Sequence, residues 1–144
     1  LFLFFNISYL HNFNPLLKKV IYKKQNSMRK IYRYEKLSFS APVDEDINFE
    51  IKFISDGNIG HTVINIPGDN DSEIANSGKS SLGKIQTLTA EKTICVSDIA
   101  NPIPHEDTIA IEYYINKKLL AKHSNLKSDT DRPYVILTIK FSVK

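Results

Sequence analysis

Hydrophobic and polar residues alternate with a period of two along three stretches of the chain. This alternation is typical of β-strands that have one face in a core and the other in water. β-Branched and aromatic residues are frequent in all three, and such residues fit a pleated surface. We therefore predict three half-buried strands, at residues 47–53, 108–116 and 135–143.

Weaker patterns add further strands, and turn-forming residues separate them. Asn116-Lys117-Lys118 predicts a tight turn that joins the strand at 108–116 to a following strand. Residues 28–144 contain no helical stripe of ten residues. The additional strands are predicted at residues 32–39, 61–66, 84–89, 92–96 and 119–123, with 84–89 and 92–96 as either two strands or one bent strand.

The number and spacing of these strands define the fold class. Seven or eight short strands with regular turns predict an all-β, two-layer antiparallel β-sandwich, Ig-like or of a related Greek-key type. A single sheet would leave one apolar face in water, so a second layer is required. We expect the strongly apolar last strand to be central or covered, since an exposed edge there would promote aggregation.

Residues 1–27 differ in composition from the rest of the chain. They begin with the apolar run Leu1–Phe5 and contain no Gly, Ala, Thr, Asp or Glu. We interpret them as a leader that is not part of the core, translated from upstream sequence, with Met28 as the start of a single domain over 28–144. A secretory signal is disfavoured because the lysines follow the apolar run. A membrane contact through the amphipathic stretch 15–24 remains an alternative.

The formal net charge of +3 comes from this leader. Four of the 19 basic residues lie in 1–27, which leaves 15 against all 16 acidic residues in 28–144. The domain therefore has no basic excess that would indicate nucleic-acid binding. Without a convincing signal peptide or transmembrane helix, we expect a soluble, cytoplasmic protein.

A short acidic segment offers a possible calcium site. Asp69, Asp71 and Glu73 place side-chain oxygens at alternating positions, as calcium-binding loops do. The Gly that an EF-hand loop needs at its sixth position is replaced by Ile74. A solvated acidic turn is the competing interpretation, so we predict no resident cofactor and keep calcium as an open alternative.

Other motifs do not support catalysis. Ser77-Gly78-Lys79-Ser80 is similar to the end of a phosphate-binding loop, but the required earlier Gly is Glu73. The four histidines have no metal-ligand spacing, and we expect them at the surface. The single cysteine, Cys95, lies in a strand pattern and is expected to be a core residue. We therefore predict that the protein is not an enzyme.

The tyrosines are candidates for an interaction surface. Tyr32 and Tyr34 share one face of a predicted strand, and Tyr113 and Tyr114 lie in another. Aromatic side chains with a polar tip are enriched at protein interfaces. The competing interpretation is that one of each pair packs in the core and the other covers its edge.

The segments Asn76-Ser77-Gly78, Leu82-Gly83, 93–98 and Asn101-Pro102 resemble small uncharacterised proteins of Bacteroidota. The resemblance covers residues 28–144 and implies a compact β-sandwich that begins near a Met such as Met28. It implies no activity and no site residues.

These observations favour a binding function over a chemical one. We predict a non-catalytic binding or protein-interaction module whose partner is another protein or a second copy of the chain. The alternative is a β-domain that contacts membranes or lipids, through residues 1–27 or with the help of calcium.

Overall fold

The computed structural model describes residues 29–68 and 71–144, and these residues form β-strands almost throughout. Nine strands are present in the described ranges, together with one 3₁₀ turn, Ile85–Leu88. The predicted all-β class is confirmed. The strands are β1 (Ile31–Ala41), β2 (Asp46–Phe53), β3 (Ile59–Asn65), β4 (Ser72–Ala75), β5 (Gly78–Lys84), β6 (Thr93–Ala100), β7 (Thr108–Ile115), β8 (Lys118–Leu126) and β9 (Tyr134–Val143).

The strands form two sheets that pack as a β-sandwich. The five-stranded sheet has the order β1-β9-β6-β3-β4, and the four-stranded sheet has the order β5-β2-β7-β8. All pairings are antiparallel except that of β1 with β9, which is parallel. Most connections pass from one sheet to the other, as in Greek-key sandwiches. β9 lies between β1 and β6, so the apolar last strand is interior, as expected.

The core lies between the sheets and is built from alternate residues of each strand. In β7, Ile109, Ile111, Tyr113 and Ile115 are fully buried, and the residues between them are half-buried. Burying one such side chain contributes about 1.5–3 kcal/mol, so the alternation itself stabilises the two-layer arrangement. Equivalent inward residues come from β2 and β9: Ile47, Phe49, Ile51, Val135, Leu137, Ile139 and Phe141.

A small polar chain crosses the core without leaving its members unpaired. The Tyr113 hydroxyl donates to Ser97 Oγ at 2.9 Å, and Ser97 Oγ lies 2.9 Å from Thr62 Oγ1. All three residues are fully buried. These bonds connect β7 of one sheet to β6 and β3 of the other, so they help to fix how the two sheets face each other.

One predicted strand is absent, and two of the observed strands were not predicted. Residues 85–88 form a 3₁₀ turn in place of the predicted strand, and this turn buries both Ile85 and Leu88. Residues three apart lie on one side of a 3₁₀ turn, so the pair closes one end of the core and packs against β9. The polar stretch that contains Gly78 forms β5, which pairs with β2. The sequence analysis also did not predict β4, which contains Glu73 of the calcium candidates, so the described residues form nine strands and not seven or eight.

The predicted turn between β7 and β8 is confirmed. Asn116 and Lys117 both have positive φ, 49° and 65°, as a two-residue mirror-image turn requires. The Asn116 side chain also accepts a hydrogen bond from the Asn48 amide (2.8 Å) and donates one to the Asp46 carbonyl (3.0 Å). The turn is thereby attached to the neighbouring strand β2.

Asn101, part of the segment on which the resemblance rests, has a structural role. Its side-chain amide donates to the Asp56 carbonyl (2.7 Å) and to Asn58 Oδ1 (2.8 Å). Its Oδ1 accepts from Lys127 Nζ at 3.3 Å. Asn101 is buried and holds three loops together at one end of the sandwich.

Candidate interaction face

The outer face of the four-stranded sheet carries oppositely charged residues paired across strands, and we call it the charged face. Lys84 Nζ lies 2.9 Å from Asp46 Oδ1, Lys122 Nζ lies 3.7 Å from Glu112 Oε2, and Lys79 Nζ lies 3.9 Å from Glu50 Oε2. In each cross-strand pair the two opposite charges compensate each other in water. These side chains therefore do not require a binding partner. This face therefore has the character of a solvated surface.

The outer face of the five-stranded sheet has a different character. Val63 of β3 lies opposite Val96 of β6, and Val96 lies opposite Ile136 of β9. These three outward side chains are half-buried, and their neighbour Ile94 is 40% exposed. We call Val63, Ile94, Val96 and Ile136 the apolar face. A contiguous apolar patch that stays partly exposed on a folded domain is typical of a binding surface.

Val63, Val96 and Ile136 lie side by side in one row across the sheet, which we call the central row. A charged residue of opposite sign extends this row at each end. On the β4 side, Glu73 is paired in register with Val63; on the β1 side, Arg33 is paired with Ile136. Both side chains are exposed. Glu73 Oε2 lies 3.5 Å from His61 Nε2, whereas Arg33 makes no ion pair with any residue that the structure describes. The row therefore runs from an acid, through three aliphatic residues, to a base.

A polar cluster borders the apolar face on one side. The Arg29 guanidinium forms an ion pair with Asp98 and donates from Nη1 to the Tyr134 hydroxyl at 2.7 Å. It also lies 3.6 Å from the centre of the Tyr134 ring, at the distance of a cation–π contact. An apolar centre with a polar rim is the usual composition of a protein interface.

The edges of the five-stranded sheet are poorly suited to adding another strand. The pairing of β1 with β9 shifts register between Tyr34 and Leu37, and the bulged residues Glu35 and Lys36 are exposed and charged. At the other edge, β4 has only four residues. Bulges, charges and short edge strands all oppose edge-to-edge pairing. Binding through the sheet's face is therefore favoured over binding through its edges.

The structure places the four candidate tyrosines in three separate environments. Tyr32 and Tyr34 are half-buried and face inward, towards β8. Tyr113 is fully buried in the core, so it is not part of the surface of the folded domain. Tyr114 lies on the charged face, 4.5 Å from Lys52 Nζ. The four residues do not form one surface, and their role in interaction stays a prediction.

His123 lies in the seam between β1 and β8, which corrects the expectation that all histidines are at the surface. Its Nε2 is 2.8 Å from Asn125 Oδ1, and its Nδ1 is 2.8 Å from the Tyr34 hydroxyl. Asn125 donates its amide hydrogens to the carbonyls of Leu126 and Thr130, so its Oδ1 is an acceptor. Nε2 therefore carries the proton, and Nδ1 accepts from Tyr34. Burial lowers the pKa of His123.

The calcium candidates are only partly within the described residues. Asp69 lies outside them, Asp71 is exposed, and Glu73 points outward beside His61. Within residues 29–68 and 71–144, no three His, Cys, Asp or Glu side chains converge as a metal site requires. Calcium binding by Asp69, Asp71 and Glu73 stays a prediction.

A cleft of about 590 Å³ lies beside β2 and the β7–β8 turn. Acidic residues, among them Asp44 and Glu50, line it together with Lys79 and Lys117. No histidine, serine or cysteine is among its lining residues. The cleft therefore contains no Ser–His or Cys–His pair.

Cys95, the single cysteine, is fully buried, as expected. Burial raises the pKa of its thiol to about 12, against a smaller opposing effect of a hydrogen bond with Ser97. The side chain therefore stays a neutral thiol at physiological pH, whereas a nucleophilic cysteine must be a thiolate.

A comparison with protein-family models finds no match, and a comparison with curated proteins finds none either. Within the described ranges, no helix has the length and apolar character needed to cross a membrane. Function is therefore inferred from the geometry of the domain.

Sequence reasoning missed the apolar face, although one signal for it was present. Strand β9 begins Tyr134-Val135-Ile136-Leu137, and β6 contains Ile94-Cys95-Val96, so both are apolar on both sides at their centres. A continuous apolar run predicts a strand that is covered on two faces. The register that aligns Val63, Val96 and Ile136 in one row follows only from the sheet order.

Proposed function

We propose that this domain is a non-catalytic protein-interaction module that binds through the apolar face. The observation that carries the proposal is the difference between the two outer faces. Side chains on the charged face pair with one another across strands. The apolar face leaves Ile94 40% exposed beside three further aliphatic residues. Removing these groups from water is favourable, and a protein partner provides that removal.

Photo-crosslinking from the full chain tests the proposal. A photoreactive phenylalanine analogue replaces Val96 in one variant and Tyr114 in a matched control on the charged face. We expect a discrete cross-linked species from position 96 and none from position 114, and we expect Ile136→Lys to abolish it. Equal labelling from both positions, or none from position 96, would contradict binding through the apolar face.

Membrane or lipid contact is the alternative prediction. It depends either on residues 1–27 or on a calcium site that includes Asp69, and residues 1–27 and Asp69 lie outside the described residues. Co-sedimentation of the full chain with anionic vesicles, with and without calcium, separates the two functions. A membrane-contacting domain sediments with the vesicles, whereas a protein-interaction module stays in the supernatant.

A further inference from the structure

The central row of the apolar face has the same arrangement from either end, except for the sign of the charge. The five strands contribute one residue each, and β6 is the middle strand. Val96 is therefore the centre of the row, with one aliphatic residue and one charged residue on each side. In order from β4 to β1, the row reads Glu73, Val63, Val96, Ile136, Arg33.

We infer that the partner of the apolar face is a second copy of this chain, related by a two-fold axis that runs parallel to β6 over Val96. The inference rests on the proposed function and names its partner. Such an axis turns one sheet over onto the other and reverses the strand order, so β1 of one copy lies over β4 of the other. Two sheets that pack face to face with strands nearly aligned are a common arrangement.

This symmetry makes every contact in the row complementary. Arg33 of each copy faces Glu73 of the other, so two ion pairs form at opposite ends. Val63 faces Ile136 twice, and Val96 faces its own counterpart on the axis. An isologous interface requires this self-complementarity, because the same patch is used by both subunits.

The other two-fold arrangement is disfavoured by charge. An axis perpendicular to the strands would keep the strand order and place Arg33 over Arg33 and Glu73 over Glu73. Like charges that face each other across an interface act against that arrangement. The charges at the ends of the row therefore select the axis parallel to the strands.

The neighbouring outward residues of β6 fit the same axis. Ile94 meets Ile94 of the second copy and extends the apolar centre. Asp98 meets Asp98, and in each copy Arg29 already provides the opposite charge. The Arg29, Asp98 and Tyr134 cluster then forms part of the polar rim.

The size of the outer face of the five-stranded sheet, with the apolar face at its centre, predicts a reversible dimer. Neighbouring strands are about 4.8 Å apart and each residue advances about 3.3 Å, so the outer face of all five strands, taken as about six residues long, presents roughly 500 Å² in projection. Stable interfaces bury about 800 Å² on each partner. We therefore expect a monomer–dimer equilibrium that depends on protein concentration.

Sedimentation velocity of the full chain over a range of concentrations tests the inference. We expect the wild-type chain to shift from monomer to dimer and Val96→Lys to remain monomeric with an unchanged thermal transition. Tyr114→Lys, on the charged face, is the matched control and should dimerise normally. Monomeric wild-type protein at all concentrations would overturn the inference.

A charge exchange tests the axis itself. Arg33→Glu alone and Glu73→Arg alone should each weaken dimerisation about tenfold, because each places like charges together. The double variant should restore wild-type affinity, and Lys122→Glu should have no effect. Additive losses in the double variant would rule out the contact of Arg33 with Glu73.

The cross-linking experiment separates failure of the inference from failure of the proposed function. A product from position 96 with twice the mass of the chain supports the second copy as partner. A product of another mass, together with monomeric sedimentation, leaves the proposed function in place and overturns the dimer. No product and no dimer would overturn both.

Discussion

At the scale of single residues, the seam between β1 and β8 depends on the protonation state of His123. The neutral ring donates from Nε2 and accepts at Nδ1, and both nitrogens are satisfied. A second proton, on Nδ1, would require the Tyr34 hydroxyl to turn from donor to acceptor. Burial also disfavours the charged ring. The seam is therefore built for neutral histidine.

This predicts a loss of stability in mild acid. The pKa of His123 is lowered in the folded state below its ordinary value of 6.5. Between the two values the unfolded chain binds more protons, so the free energy of unfolding falls as the pH drops through that window. One histidine contributes a slope of at most about 1.4 kcal/mol per pH unit. Urea unfolding from pH 7.5 to 5 measures it.

Variants identify the histidine responsible for that slope. His123→Gln should flatten the pH dependence between pH 7.5 and 5, even though its overall stability is lower. His105→Gln, at an exposed histidine outside this seam, is the matched control and should keep the wild-type slope. A slope that survives in His123→Gln would show that other groups cause the acid sensitivity.

The buried thiol gives a second prediction at this scale. Because burial raises the pKa of Cys95 to about 12, we expect no measurable reaction with a disulfide reagent at pH 8 in native protein. The same reagent should label one thiol per chain in guanidinium chloride, since unfolding exposes it. Rapid labelling under native conditions would mean that β6 opens readily.

At the scale of elements, the β7–β8 hairpin carries a local cost at Lys117. Its φ of 65° lies in the left-handed region, which a lysine adopts with strain and a glycine without it. Asn-Gly is the preferred sequence for a two-residue turn of this kind. The present Asn116-Lys117 pair is therefore not the most stable choice for its backbone.

We expect Lys117→Gly to stabilise the domain by about 1 kcal/mol. Thermal or urea unfolding, monitored by circular dichroism, measures the change. Lys118→Gly is the matched control, because position 118 begins β8 and a glycine within a strand weakens it. Lower stability for Lys117→Gly would mean that the lysine side chain stabilises the domain by more than its strained backbone costs.

Some elements of the fold could be predicted from the sequence and others could not. β2, β7 and β9 alternate strictly on their inward side, so their positions could be predicted. The 3₁₀ turn at Ile85–Leu88 could not, because two apolar residues three apart are too few to distinguish it from a strand. β5 was missed because its Ser and Gly residues are typical of loops, and pairing with β2 overrides that preference.

The candidate interaction face was less accessible to sequence analysis. Val63, Val96 and Ile136 come from three separate strands, and only the sheet order places them in one row. A local pattern shows that β9 is apolar on both sides but not what lies next to it. His123 illustrates the same limit, since its burial depends on β1, which is distant in sequence.

At the scale of the whole molecule, the two open sides of the sandwich are closed by different means. On one side, Tyr32 and Tyr34 of β1 contact His123 of β8. On the other, β4 passes directly into β5, and the hydroxyls of Ser72 and Ser80 are hydrogen-bonded across the two sheets. The sheets are therefore joined at both sides, and we expect the domain to unfold as one cooperative unit.

This architecture predicts that the domain requires β9. A chain that stops at residue 126 lacks the strand that pairs with both β1 and β6. It also loses the buried Val135, Leu137, Ile139 and Phe141. We expect no cooperative thermal transition for it, whereas a chain that stops at residue 143 should melt like wild type. A sharp transition in the shorter chain would show that β9 is dispensable.

The parallel pairing of β1 with β9 also sets the order of events while the protein is being made. Ile31 pairs with Tyr134, so the two strands leave the ribosome more than a hundred residues apart. At about 5–20 residues per second, β1 waits roughly 5–20 seconds for its neighbour. During that interval its exposed charged residues, Glu35 and Lys36, oppose pairing of the nascent strand with the wrong partner.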